Sequence, residues 1–310
     1  MRVVIAGATG FIGRALCREL HGDYEVVALS RDAHKASRGV GSYARVVEWD
    51  ARTAGRWARE VSGAYAVVNL AGENIASGRW SQSRKAGILQ SRSHGIAAIL
   101  DAIEAAKSKP TLFVQASAIG YYGSRAAETL DEDSSAGTGF LAEVCRRVEI
   151  AAGRIERFGV RGVVVRSGMV LGAGGGALPK LIRPFRFFVG GHVGSGKQWL
   201  SWISLSDEVR AIRFLIENAQ SQGVFNLTAP QPVTMKAFCR TLGQVLRRPA
   251  WTVVPGFVLR LALGQMAEEV LLGGQKVVPQ RLVEAGFQFE HPVVTDALIA
   301  ITKGDKHESA

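Results

Sequence analysis

The sequence predicts an α/β fold, a doubly wound parallel sheet with a small, mostly helical C-terminal substrate lobe. Short β-branched runs alternate with amphipathic helical stretches through the first two-thirds of the 310 residues. Strands separated by helices imply right-handed crossovers and a sheet covered on both faces. A glycine turn, Gly7, Gly10 and Gly13 in "VVIAGATGFIG", stands between the first strand and the first helix, which makes the domain Rossmann-type. A hydrophobic content of 47% suffices for a sizeable core.

Taken in order, "RVVIAG" reads as a buried strand, "GFIGRALCREL" as a helix, and "YEVVALS", "ARVVEW" and "AYAVVNLAG" as three more strands. A long helical stretch runs from about Ser81 to Ala106. The strand "TLFVQASA", a helix around "FLAEVCRRVEIAAGRIERF" and the strand "VRGVVVRSGMVLG" follow it. After Gly172 come a glycine-rich loop "GAGGGALP", a helix, a second loop "GGHVGSGK" and an aromatic strand "QWLSWIS". The helix "SDEVRAIRFLIENA" and the strand "GVFNLTA" return to the large sheet, and short helices punctuated by Pro249, Pro255 and Pro279 complete the lobe. The expected division is 1–173 plus 207–228 for the Rossmann-type sheet domain, 174–206 plus 229–300 for the substrate lobe, and 301–310 for a frayed tail.

Composition narrows the function classes. No run of about 18 apolar residues occurs, because Pro255 and Arg260 break the most apolar C-terminal stretch, so no membrane partner is expected. The apolar stretch before the first glycines is too short for a secretory signal, and a cytoplasmic location is expected. Cys17, Cys145 and Cys239 lie in helical patterns without paired spacing and read as buried free thiols, with no metal site. The net charge of +11 favours anionic ligands, but the basic residues are spread along the chain, which argues against a nucleic-acid partner.

The glycine turn is the strongest chemical signal. Its tight bend needs residues without a Cβ, a pyrophosphate needs close backbone approach, and the helix N-terminus supplies amide donors. At the end of the second strand an acidic residue would bond both ribose hydroxyls of NAD; here Ser30 and Arg31 hold that turn, with Lys35 close behind. A guanidinium there can stack on adenine and pair with a 2′-phosphate, which favours NADP(H) over NAD(H). Asp32 follows Arg31 and should point away. Asp50, after the third strand, could bond the adenine amino group or simply cap the next helix. The stretch "GHVGSGKQ" matches a phosphate-binding loop up to its lysine, yet it ends in Gln198 and leads into a strand, so ATP binding is rejected.

"GATGFIG", "NLAG", "SAIGYYG" and "RSGMVLG", in this order, resemble the extended short-chain dehydrogenase/reductase superfamily, the epimerase and dehydratase class. With "NLAGENI", "GRW", "FLAEVC" and "LLGGQKVVPQRLVEAGF", nearly the whole chain resembles the bacterial YfcH-type epimerase family, which has its own short C-terminal domain. The resemblance implies that Gly7, Gly10 and Gly13, with Thr9 and the Phe11 and Ile12 amides, hold the pyrophosphate. It places Leu70, Ala71 and Gly72 along the adenosine ribose and Ser117 beside the nicotinamide, with Ser167 and Met169 closing the nicotinamide pocket. A homodimer through the two long helices, near Ser81–Ala106 and Phe140–Arg157, is also implied. Glu73 and Asn74, directly after the "NLAG" turn, are placed to face cofactor or substrate.

The superfamily reaction uses a tyrosine phenol to move a proton, with a lysine four residues on to lower its pKa. Those positions read Phe140 and Val144, and no tyrosine-x-x-x-lysine occurs in the chain. Three side chains could substitute. Tyr121 and Tyr122 stand in the loop after Ser117, and Glu143 shares a helical face with Phe140 and Val144, where apolar neighbours would raise its pKa. His192, Lys85 and Arg92 read as surface residues, and Trp199 and Trp202 could wall a cleft or pack the lobe. The expected function is an NADP-dependent oxidoreductase or epimerase-like enzyme acting on a small carbonyl, alcohol or sugar-type substrate. The competing reading is a noncatalytic NADP(H)-sensing protein.

Overall fold

The computed structural model describes residues 1–304. Its central sheet has seven parallel strands: β1 (Arg2–Ala6), β2 (Glu25–Ser30), β3 (Arg45–Glu48), β4 (Ala66–Asn69), β5 (Leu112–Ala118), β6 (Arg161–Ser167) and β7 (Gly223–Leu227). They lie in the order β7-β6-β5-β4-β1-β2-β3. The chain reverses its direction of travel between β1 and β4, and at such a switch point a crevice opens beyond the strand ends. The helices are α1 (Phe11–Leu20), α2 (Ala33–Val40), α3 (Gln82–Ala105), α4 (Phe140–Gly153), α5 (Leu178–Arg186), α6 (Leu205–Glu217), α7 (Met235–Leu246), α8 (Gly256–Leu263), α9 (Gln280–Glu284) and α10 (Val294–Gly304).

Side chains along a strand alternate between faces, and here both faces are covered, so the strands read as unbroken apolar runs. On β1, Val3 and Ile5 join one layer, with Leu16 and Leu20 of α1 and Ile212 of α6. Val4 and Ala6 join the other, with Ile96, Ile99 and Ile103 of α3 and Ala152 of α4. A third core, around Phe185, Trp202, Phe238 and Leu298, holds the lobe together between α5, α7 and α10. No helix among the described residues is long and apolar enough to cross a membrane.

The lobe differs from its sequence reading in two places. The single strand expected at "QWLSWIS" is two short ones, Trp199–Leu200 and Trp202–Ser204, which pair with different partners. Ser201 separates them because its hydroxyl, wholly inside the protein, donates to Gln275 O at 2.8 Å and accepts the Val277 amide at 2.8 Å. The tail expected to fray from residue 301 instead continues α10 to Gly304, and the remainder lies outside the described residues.

Asp207 fastens the end of the chain to the sheet domain. Ser204 caps α6, accepting the Asp207 amide at 3.0 Å and donating its hydroxyl back to Asp207 Oδ2 at 2.9 Å. The same carboxylate, fully buried, accepts the amides of Glu290 at 2.7 Å and His291 at 3.0 Å. Removing it orphans buried donors on two segments at once. Asp207→Ala is expected to lower stability by about 3 kcal/mol, read as a fall in the urea midpoint.

Candidate functional site

Three glycines shape the turn between β1 and α1, and at Gly7 and Gly13 no larger residue fits. Gly7 has φ +80°, and a Cβ there would lie 2.7 Å from the Leu70 carbonyl at the end of β4; one on Gly13 would lie 2.3 Å from the Gly7 oxygen. Gly10 closes the turn by donating its amide to Gly7 O at 2.9 Å, and Thr9, exposed, accepts Arg14 Nη1 at 2.8 Å. No side chain caps α1 at Gly10, so the amides of Phe11, Ile12 and Gly13 are left for an outside acceptor at the positive end of the helix. This cradle fits the pyrophosphate of a dinucleotide. The Phe11 ring is clamped from above: Cβ atoms on Gly172, Gly175 or Gly176 would meet it at 2.7–3.0 Å, which explains three of the four glycines between 172 and 176.

At the end of β2, Ser30 is buried and its hydroxyl accepts the Asp32 amide at 3.2 Å. Asp32 turns to α2 and caps it by accepting the Lys35 amide at 2.9 Å. Arg31 is left exposed on the rim of a cavity of about 610 Å³ that Trp49, Asp50 and Arg56 also line, and the Lys35 side chain is exposed beside it. Asp50 does not cap a helix. Its carboxylate accepts the Thr53 amide at 2.9 Å, the Thr53 hydroxyl at 2.7 Å and the Arg52 amide at 2.8 Å, bonds that hold its pKa down at about 2.

Beyond β4, Asn69 is buried; it donates to Gln115 Oε1 at 2.8 Å and accepts the Ala71 amide at 3.1 Å, which sets the path of Leu70, Ala71 and Gly72. Gly72 lies against the Arg92 guanidinium, 2.9 Å from where its Cβ would stand. Arg92 is therefore no surface charge: burial lowers its pKa, and it donates to Ile88 O at 3.1 Å. Glu73 pairs with Arg84 at 3.2 Å, and Asn74 accepts the Ala76 amide at 2.8 Å.

A buried polar group, unread in the sequence apart from its serine and tyrosines, crosses the ends of β5 and β6. Ser117 donates to Glu149 Oε1 at 2.6 Å; Arg166, Ser117's neighbour across the strands, clamps Glu149 with Nε at 3.0 Å and Nη2 at 2.7 Å. Burial alone would lower the Arg166 pKa, but the bonds to Glu149 outweigh it and raise it. Arg166 Nη1 donates to the Tyr122 hydroxyl at 2.8 Å, which donates to Asn226 Oδ1 at 2.8 Å. The Tyr121 ring lies flat on the guanidinium, 3.5 Å from its centroid. The available signal was Arg166 itself, a charge inside an apolar strand, which requires a buried partner.

The sequence pattern of the NAD dependent epimerase/dehydratase family matches residues 3–228. The chain belongs to this epimerase/dehydratase family. A domain of unknown function, DUF1731, matches residues 254–301. An Arabidopsis thaliana protein, "Epimerase family protein SDR39U1 homolog, chloroplastic", is 42% identical over 306 residues, covering 97% of this chain and 86% of its own. Bacillus subtilis "Epimerase family protein YfhF" is 37% identical over 300 residues, covering 96% and 97%. The crystal structure of human epimerase family protein SDR39U1 (isoform 2) with NADPH superposes with a TM-score of 0.89 at 35% identity, covering 98% of this chain and 99% of that one.

Within this family member, two of the three substitute proton donors are placed against that role. Tyr122 is fully buried, its hydroxyl is used as donor and acceptor, and burial pushes its pKa up to about 12. Glu143 meets arginines instead of apolar neighbours: Arg147 Nε at 2.6 Å, with Arg146 beside it, lowers its pKa where a rise was expected. The buried side of α4 belongs to Val144, Cys145 and Val148, and Glu143 projects to its arginine-bearing flank. Tyr121 is half-buried, and among the described residues no hydrogen bond engages its phenol. At the start of α4, Phe140 packs edge-on against Trp80 with ring centroids 5.0 Å apart, and Glu269 of the lobe accepts the Phe140 and Leu141 amides at 3.0 and 2.9 Å.

Ser167, at the end of β6, donates to Glu208 Oε1 at 2.6 Å, with half-buried Met169 two residues on. Glu208 is fully buried, and burial raises its carboxyl pKa to about 8. The folded protein thus keeps a proton that the unfolded chain releases near pH 4.5. Its contribution to stability is complete below that pH, falls as pH rises toward 8, and is level above. Between pH 5 and 8.5, wild type is expected to lose on the order of 2–4 kcal/mol more than Glu208→Gln, measured as urea midpoints at each pH.

Proposed function

We propose that the chain is an NADP(H)-dependent enzyme of oxidoreductase or epimerase type that acts on a small carbonyl, alcohol or sugar-type substrate. The observation that carries this reading is the cradle of Gly7, Gly10 and Gly13 at an uncapped helix end, where a Cβ on Gly7 or Gly13 would collide with backbone. NADPH in the human relative supports the choice of dinucleotide, as does Arg31, exposed where a 2′-phosphate would reach it while Asp32 is occupied at α2. When bound, NADP(H) supplies or accepts the hydride.

The chain's own residues have distinct tasks in this reading. The Phe11, Ile12 and Gly13 amides bind the pyrophosphate, beside Thr9; Leu70 to Gly72 line the adenosine ribose. Ser117, its proton committed to Glu149, presents lone pairs that orient a substrate hydroxyl. Glu149 and Arg166 are positioning residues that fix this serine and the Tyr121 ring. Tyr121 moves the proton, because its phenol alone among the three substitutes is not already engaged within the described structure. Arg92, half-buried against Gly72, places a positive charge where α4 offers only Val144. The second reading, a noncatalytic NADP(H) sensor, draws on Phe140 and Val144 at the positions of the superfamily's tyrosine and lysine.

Fluorescence titration with NADPH and NADH tests the first step. Arg31→Ala is expected to weaken NADPH about tenfold or more and leave NADH unchanged; equal loss for both would remove the 2′-phosphate assignment. With a panel of carbonyl substrates, Tyr121→Phe is expected to cut kcat roughly a hundredfold or more at unchanged NADPH affinity, whereas Glu143→Gln leaves kcat alone. Tight NADPH binding with no turnover across the panel would favour the sensor.

A further inference from the structure

The lobe carries an unpartnered apolar face built from two acid-free stretches of sequence; the acid beside it, Glu268, is paired with Arg260 of α8 at 2.7 Å. Between Gly172 and Ser206, and between Ala229 and Ala267, the sequence has no Asp or Glu; the first stretch has four Lys or Arg and the second has five. The two stretches meet in a parallel pair of strands, Gly190–Val193 and Ala250–Val254. Phe187, Phe188 and Val189 lead into the first strand, and all three are exposed. Trp251 stands at the bulge of the second, 70% exposed, and donates its indole N–H to Phe188 O at 3.0 Å. Val253 projects from the same strand two residues on. Pro255 then turns the chain into α8, which fully buries none of its residues and exposes Phe257, Val258 and, at 79%, Leu261.

Exposed arginines border this face: Arg183 and Arg186 from the last turns of α5, and Arg247 and Arg248 before the second strand. The Arg248 guanidinium lies over the Phe188 ring at 4.5 Å, a cation held against the apolar surface instead of reaching away from it. We propose that this face docks the protein on the surface of an anionic lipid bilayer. The Phe, Leu, Val and Trp side chains enter the headgroup boundary while the arginines meet lipid phosphates. A second copy of the chain fits poorly, since a symmetric contact would oppose arginine to arginine. Single-stranded nucleic acid could stack on Phe187, Phe188, Trp251 and Phe257, but Val189, Val253, Val258 and Leu261, exposed among them, offer a base no ring and suit acyl chains better. A surface of this kind needs no spanning segment, so the sequence pattern that argues against a membrane partner does not bear on it.

The test is cosedimentation of the full-length protein with vesicles of phosphatidylcholine alone or with about one-third phosphatidylglycerol. Binding is expected only to the anionic vesicles and is expected to weaken as salt rises. Arg247→Gln with Arg248→Gln should weaken it roughly thirtyfold, and Phe257→Ser with Leu261→Ser should reduce it to the level of phosphatidylcholine alone. These side chains are exposed, so circular dichroism and NADPH titration should match wild type. Absence of sedimentation at low salt would overturn the proposal. So would full binding by the Phe257→Ser, Leu261→Ser variant together with tight binding of single-stranded RNA, which would mark a charge-only nucleic-acid surface. A wild-type dimer that this variant dissolves would assign the face to a second copy.

Discussion

A guanidinium placed inside a parallel sheet must be fully partnered, and the burial of Arg166 organises the crevice end of this protein. Its fork fixes Glu149, and with it the rotation of α4 against the sheet. Its Nη1 fixes Tyr122, and its face holds Tyr121, so both tyrosines of the turn after β5 are tied to one group. Tyr122 passes the constraint to Asn226 on β7, whose amide is held by buried Glu132. Loss of any one group would leave charge or dipole stranded in a medium that solvates neither.

The layered fold was legible because its signals are local. Val3 to Ala6 read as a strand buried on both sides, and the glycines that follow have no alternative in so tight a turn. The polar network was not legible because its members come from separate elements. Ser117 and Arg166 are neighbours only once β5 and β6 pair, and Glu149 joins them only when α4 packs across both. Helical spacing put Glu143 with Phe140 and Val144, but spacing cannot tell which flank of a helix carries the ion pairs, and Arg146 and Arg147 decided it. The glycine run after β6 read as a loop for the same reason: its purpose, room for the Phe11 ring, lies at the opposite end of the sheet domain's sequence.

The lobe is joined to the sheet domain by polar contacts at helix ends as much as by apolar packing. Glu269 satisfies the first amides of α4, and Asp207 near the start of α6 accepts amides from the chain's last segment. Arg281 Nη1 donates to Val224 O on β7 at 3.4 Å, and its amide donates to Glu132 at 3.4 Å. Helix termini are where backbone groups lack internal partners, so a few carboxylates placed there orient whole elements.

The Glu269 contact also sets an order of events during synthesis. The N-terminus of α4 leaves the ribosome long before the carboxylate that caps it, and at ordinary elongation rates the interval is roughly ten seconds. During that interval the sheet can assemble through β6 and then β7, which brings Asn226 to Tyr122, while α4 still begins with bare amides. The nascent chain therefore passes through a stage in which the apolar layers have formed while the start of α4 is uncapped. A chain cut short within the lobe would remain at that stage, open to proteases at the start of α4.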